Sequence, residues 1–163
     1  AYVLTPDDID IYVNLGSAFY DKEDYNNALA VYRQALELQP YNPKIHCNLG
    51  FLYWGKGDTD EAIKSYELAI KYNDKYDIAY NNLGVIYLDD LGRVKKSIEL
   101  FRKAVETNPN YALAHFNLAR AISIIGDKVE AAKLYQTAQD INKITQEIDP
   151  RDIADKISEL FES

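Results

Sequence analysis

The sequence contains no methionine and a single cysteine, Cys47, among its 163 residues. One thiol excludes an intrachain disulfide, and it points to a reducing, cytoplasmic-type compartment. Because the chain opens on Ala1 and lacks Met, it is expected to be a trimmed or processed piece of a longer protein. Long apolar runs are missing as well. None approaches the roughly 20 residues that a helix needs to cross a bilayer, and no secretory leader pattern is visible, so direct membrane insertion is not expected. Positive charge is in deficit: 18 Lys and Arg stand against 26 Asp and Glu, a net charge of −8. A duplex nucleic acid requires a basic footprint and an anionic membrane surface requires a polybasic patch. Neither is expected as a partner.

The acid is concentrated at the ends. Residues 1–42 carry 2 basic and 7 acidic side chains and residues 146–163 carry 2 and 6, whereas residues 43–145 carry 14 and 13. Acidic ends suit solvated caps of a helical array. The chemistry-bearing motifs are absent too: no glycine-rich phosphate loop, no metal-ligand spacing and no nucleophile elbow. His46 and His115, the only histidines, are read as packed core residues, and Cys47 has no acid–base neighbour in sequence. No catalytic residue, cofactor or metal is expected, and the chain is not read as an enzyme.

What is present is a repeat. Asn14-Leu15-Gly16, Asn48-Leu49-Gly50 and Asn82-Leu83-Gly84 are identical, Asn117-Leu118-Ala119 nearly so, and the spacings are 34, 34 and 35. Four units follow, 9–42, 43–76, 77–111 and 112–145, the third longer by one residue because its turn reads Asp89-Asp90-Leu91-Gly92. Apolar residues recur at helical spacing in each half of a unit, as in Tyr12, Leu15, Phe19 and in Ala28, Tyr32, Ala35. Between the halves lies a turn signal: Glu23-Asp24, Gly57-Asp58, Gly92-Arg93 or Gly126-Asp127. Each unit is therefore predicted to be helix–turn–helix, with Glu23 strained where glycine stands in the others. Gly16, Gly50, Gly84 and Ala119 are expected to be small because two helix backbones approach there. Thr5-Pro6 starts a first helix. Asp149-Pro150 starts a last one, about 150–162, whose Ile153, Ile157, Leu160 and Phe161 share a face and cap the array.

The second halves carry Ala28, Tyr32, Ala35 and Pro40; Ala62, Tyr66 and Ala69; Ser97, Phe101, Ala104 and Pro109; and Ala131, Tyr135 and Ala138. With the Leu-Gly pairs, this pattern resembles the tetratricopeptide repeat over residues 9–145. The resemblance implies an all-α fold: a right-handed superhelical stack of hairpins (an α-solenoid) forming one domain over 1–163, with four units and a C-terminal capping helix. It also implies a concave groove lined by the second, fifth, sixth, ninth and twelfth positions of each unit. Those positions include Val13, Cys47 and Asn81, and an asparagine ladder of Asn14, Asn48, Asn82 and Asn117. A primary amide both donates and accepts, so the ladder suits a peptide backbone. An apolar strip accompanies it: Phe51, Trp54 and Ile78, then Val85, Leu88, Leu113 and Phe116. Lys44 and Arg120 flank the strip and suit acidic groups on a ligand. The basic clamp by which some family members hold acidic chaperone tails is not matched, because Val13, Ile78 and Asn82, or Cys47, Leu113 and Asn117, stand at its positions.

The function expected from that face is a protein–protein interaction module that holds an extended or short helical segment of a protein partner. The alternatives are a self-associating assembly scaffold, a homo-oligomer, and the targeting domain of a larger enzyme.

Overall fold

The computed structural model describes residues 9–161, so the helix start expected at Thr5-Pro6 lies outside the described residues. The chain is all-α. Among the described residues there is no strand, and nine α-helices follow in order: α1 (Ile9–Asp21), α2 (Tyr25–Leu38), α3 (Pro43–Gly55), α4 (Thr59–Tyr72), α5 (Asp77–Val85), α6 (Val94–Thr107), α7 (Ala112–Ile124), α8 (Lys128–Thr145) and α9 (Pro150–Glu159). They fall into two compact units, Ala1–Ala79 and Tyr80–Ser163, with the division inside α5.

In the first unit α1 packs on α2, α2 on α3 and α3 on α4. Asp24 accepts a hydrogen bond from the Asn27 backbone at the start of α2, and Asn42 does the same for Lys44 ahead of Pro43 in α3. Such caps satisfy amides that the first helical turn leaves unpaired. The second helices bury the predicted stripes, Ala28, Tyr32 and Ala35 on α2 and Ala62, Tyr66 and Ala69 on α4. Glu23 adopts φ 58°, the left-handed region that Gly57 fills in the next hairpin at φ 84°. The strain expected at the first turn is therefore present.

The small glycines Gly16, Gly50 and Gly84 of the leading helices have a different cause from the one expected. A Cβ on Gly50 would lie 2.8 Å from the Tyr66 ring. Gly16 meets Tyr32, and Gly84 meets Phe101, in the same way. The close approach is that of an aromatic ring from the second helix, not of the other backbone. The ring of one helix seats on the bare Cα of its partner.

In the second unit α6 packs on α7, α7 on α8 and α8 on α9. α5 continues into a π-helical turn, Ile86–Asp90, in which the Leu91 amide donates to the Ile86 carbonyl at 3.2 Å. A π-turn is how a helix absorbs one extra residue without losing its ladder, so the 35-residue spacing is taken up here. α8 runs on through Lys143, where α2 and α6 stop short of Pro40 and Pro109. It ends at Gln146, with φ 55°.

Asp149 caps α9. Its carboxyl is held down at about 2, chiefly by the Arg151 side chain that hydrogen-bonds it. Buried Asn142 clasps the preceding loop through both the Ile148 amide (2.9 Å) and carbonyl (2.7 Å). Ile153, Ile157 and Leu160 pack into the core of Phe101, Leu118, Ile122 and Tyr135. Phe161, expected on that face, is instead 68% exposed, because α9 has ended before the face comes round again.

Candidate functional site

The expected binding face divides between the two units, and its chemistry differs in each. In the first unit, Lys44 on α3 reaches Asp10 on α1 at 2.7 Å. The flanking cation is already neutralised within the chain. Asn48 donates its amide to the carbonyl of Lys44, one turn back, at 2.8 Å, while Asn14 is exposed. The bond of Asn48 stays within its own helix, and Asn48 is half-buried.

Beside them is an aromatic ridge. The Phe51 ring lies 4.8 Å from Tyr20 and 6.5 Å from Trp54, and Tyr20 lies 5.5 Å from Tyr25. Phe51 is 41% exposed and Ile78 is 42% exposed. Gly55 explains how the ridge closes: a Cβ there would collide with the Tyr20 phenol, so the absence of a side chain lets the end of α3 meet α1. Burial raises the Tyr20 phenol above its ordinary pKa, helped by neighbouring Tyr25 and Asp21. Trp54 is half-buried.

Two positions expected in the groove are not on the surface of this unit. Val13 and Cys47 are buried. Burial pushes the Cys47 thiol up to about 12, with Asp77 adding to it, and Tyr76 is pushed to about 12 for similar reasons. A thiol so protonated is a small apolar side chain, not a nucleophile.

In the second unit the polar residues form one connected chain. Arg120 on α7 donates to Asp89 in the π-turn at 2.9 Å and to the Asn117 amide oxygen at 3.2 Å. Asn117, only 4% exposed, donates in turn to Asn81 at 3.0 Å, and Asn81 donates to Asn82 at 3.2 Å. The guanidinium can only donate, so it fixes which end of each buried amide points which way. Asn81, expected to line the groove, is buried inside this network. Arg120 shares its charge with Asp89 as Lys44 does with Asp10.

The apolar members of this unit are less exposed than those of the first. Val85, Leu113 and Phe116 are half-buried, and Phe116 packs on Tyr135 with ring centroids 5.5 Å apart. Leu113 also receives a bond to its backbone: its amide donates to Glu147 at 3.1 Å. Leu88, expected on the exposed strip, is buried in the core, where the π-turn carries it inward. Sequence reasoning passed over Asp89 and Gly55. The one-residue insertion was the available signal for Asp89, and a glycine inside a helix was the signal for Gly55.

The histidines are structural, as expected. His46 pairs through Nε2 with the Pro40 carbonyl at 2.8 Å, and His115 with that of Pro109 at 2.9 Å. Each follows a unit that ends in proline, whose carbonyl it ties down. Among the described residues, no group of three or more metal-ligating side chains comes together, and no helix is long and apolar enough to cross a membrane.

Comparisons with known proteins agree with this architecture. The model of the TPR repeat matches residues 16–57, and models of the tetratricopeptide repeat match residues 47–112 and 100–133. An uncharacterized protein of Methanocaldococcus jannaschii is 46% identical over 44 residues, which are 27% of this chain and 51% of that protein. The chain thus spans about half the length of the curated relative it matches. Two crystal structures of MamA share the fold. One has a TM-score of 0.71 at 24% identity over 88% of this chain and 83% of that one; the other has 0.70 at 21% over 96% and 90%. Helical hairpins with rings seated on small residues, and repeat matches from residue 16 to residue 133, place the chain in the tetratricopeptide-repeat family.

Proposed function

We propose that the protein holds a segment of a partner protein on the leading-helix faces of its two units and catalyses no reaction. Its family makes it a protein-interaction module; the location and chemistry of the face are our reading. One observation carries that reading: a large ring, Phe51, stands exposed where the core has no use for it. Phe51 keeps 41% of its surface on a helix whose Ile45 and Leu52 are fully buried. Exposed apolar surface beside aromatic anchors is the composition of a binding site.

In the first unit Phe51, Trp54 and Ile78 supply apolar contact, while Asn14 and Asn48 supply amides to a peptide backbone. In the second, Asn82, Val85, Leu113 and Phe116 do so, with Leu88, Asn117 and Arg120 supporting them from beneath. Lys44 and Arg120 then act as braces for the face, since each already has a carboxylate. The experiment is affinity capture of partners identified by mass spectrometry, followed by measurement of the captured protein's Kd. Phe51→Ala is expected to weaken binding at least tenfold, and Asn48→Ala with Asn82→Ala several-fold. Unchanged affinity in the first variant removes the ridge from the mechanism; unchanged affinity in the second removes the ladder.

A further inference from the structure

The charges around the aromatic ridge of the first unit are not balanced in the way its flanking cation is. Lys44 is neutralised by Asp10, and Lys56, at the far end of α3, pairs with Asp58 at 3.2 Å. The rim next to Tyr20 is different. Asp21 and Glu23 are exposed and have no ion-pair partner among the described residues. Asp24 is taken up by its bonds to Asn27. The one cation in that turn is exposed Lys22, so three carboxylates face one ammonium. Asp21 follows Tyr20 directly in the chain and the Glu23 amide donates to the Tyr20 carbonyl at 2.8 Å, so both carboxylates border the ridge.

We propose that the ridge of Tyr20, Phe51 and Trp54, with its acidic rim of Asp21 and Glu23, docks a partner segment that carries lysine or arginine next to an aromatic or aliphatic anchor. The inference rests on the peptide-holding reading above and adds the partner's charge. Three physical points converge on it. An apolar side chain gains by covering exposed Phe51. A cation beside it gains from the unneutralised carboxylates, and also from the faces of tyrosine and tryptophan rings. An acidic segment meets the exposed carboxylates of Asp21 and Glu23, which outnumber Lys22, the one cation of that turn.

Trp54 is the chain's one tryptophan, so its fluorescence reads the site directly. The probes are two end-capped synthetic peptides sharing a central Leu-Phe pair, one flanked on each side by two lysines and the other by two glutamates. Titration is followed by Trp54 emission at low and at high salt. The lysine peptide is expected to bind at least tenfold more tightly at low salt, and the advantage is expected to shrink as salt screens it. Asp21→Asn with Glu23→Gln is expected to erase the difference between the peptides. That pair leaves the Asp24 cap untouched and keeps an L-residue in the left-handed turn, and thermal melting checks its fold. Phe51→Ala is expected to weaken both peptides alike.

Equal affinity for the two peptides, or preference for the glutamate peptide, overturns the charge assignment. If Phe51→Ala still weakens both in that case, the peptide-holding reading survives without it. If Phe51→Ala changes neither, or if neither peptide perturbs Trp54, the ridge is not a docking site and both statements fall.

Discussion

The two units bear the same repeat and use the asparagine of its sixth position in opposite ways. In the first, Asn14 is exposed and Asn48 bonds to the Lys44 carbonyl of its own helix. In the second, Asn117 is buried and bonded on both sides, joined through Arg120 to Asp89 and through Asn81 to Asn82. The apolar residues divide the same way: Phe51 and Ile78 are exposed on the first unit, while Val85 and Leu113 of the second are half-buried and Leu88 is buried. A shared position in a repeat therefore fixes where a side chain begins, and the neighbours decide whether it faces a partner or a core.

The ends differ as strongly. Leu15 on α1 is 39% exposed, while the residue at its position is 6% exposed in α3 (Leu49) and 4% in α7 (Leu118). At the other end, α9 buries Ile153 completely. Ile153→Ala is therefore expected to cost about 2–5 kcal/mol in urea unfolding, and Leu15→Ala less than about 1 kcal/mol. Equal costs at the two ends would erase this contrast.

The asparagines test the comparison next. Asn117→Ala strands the Asn81 acceptor and one Arg120 donor, at an expected cost of about 1–3 kcal/mol. Asn48→Ala is expected to stay within about 0.5 kcal/mol of the parent protein. Matching losses would mean that the network in the second unit is not a structural device.

A smaller effect, of opposite sign, lies in the turns. Glu23→Gly relieves a left-handed L-residue and is expected to stabilise by about 1 kcal/mol. Gly57→Ala, at φ 84°, is expected to destabilise by a similar amount. Thermal melts of the two variants should move in opposite directions.

The smallest effect belongs to Asp149. Its folded carboxyl titrates at about 2, below the ordinary value of about 3.9 in an unfolded chain. A depressed folded value favours the folded state above the unfolded pKa, and that preference fades as pH falls from about 4 toward 2. Amide resonances at the start of α9 should report this titration. In Asp149→Asn the same resonances should lose it.

Much of the hairpin pattern was legible because it depends on local rules. Helical spacing and the turn glycines are both written in short stretches of chain. Even the strain at Glu23 follows from a glycine missing at one place. The site was less legible, because exposure is set by what lies across from a residue. Leu88 and Val85 are both apolar and only three residues apart, yet one is core and the other half-buried. Nothing near Asn81 in sequence announces that Asn117 bonds it. The seating of Tyr66 on Gly50 looked from the sequence like a contact of backbones, since a glycine alone does not say what fills its space. Phe161 followed the apolar stripe of its helix but lay beyond the helix end.

The extra residue of the third unit has a consequence for how this sequence can change. Deleting Leu91 would restore a 34-residue spacing, yet it would also rewind the turn that aims Asp89 at Arg120. The guanidinium would lose its counter-charge while still tied to a buried amide. A deletion that tidies the repeat on paper thus leaves a cation with no counter-charge beside a buried amide. Regularity and charge balance pull against each other here, and a return to the shorter length requires a compensating change at residue 120.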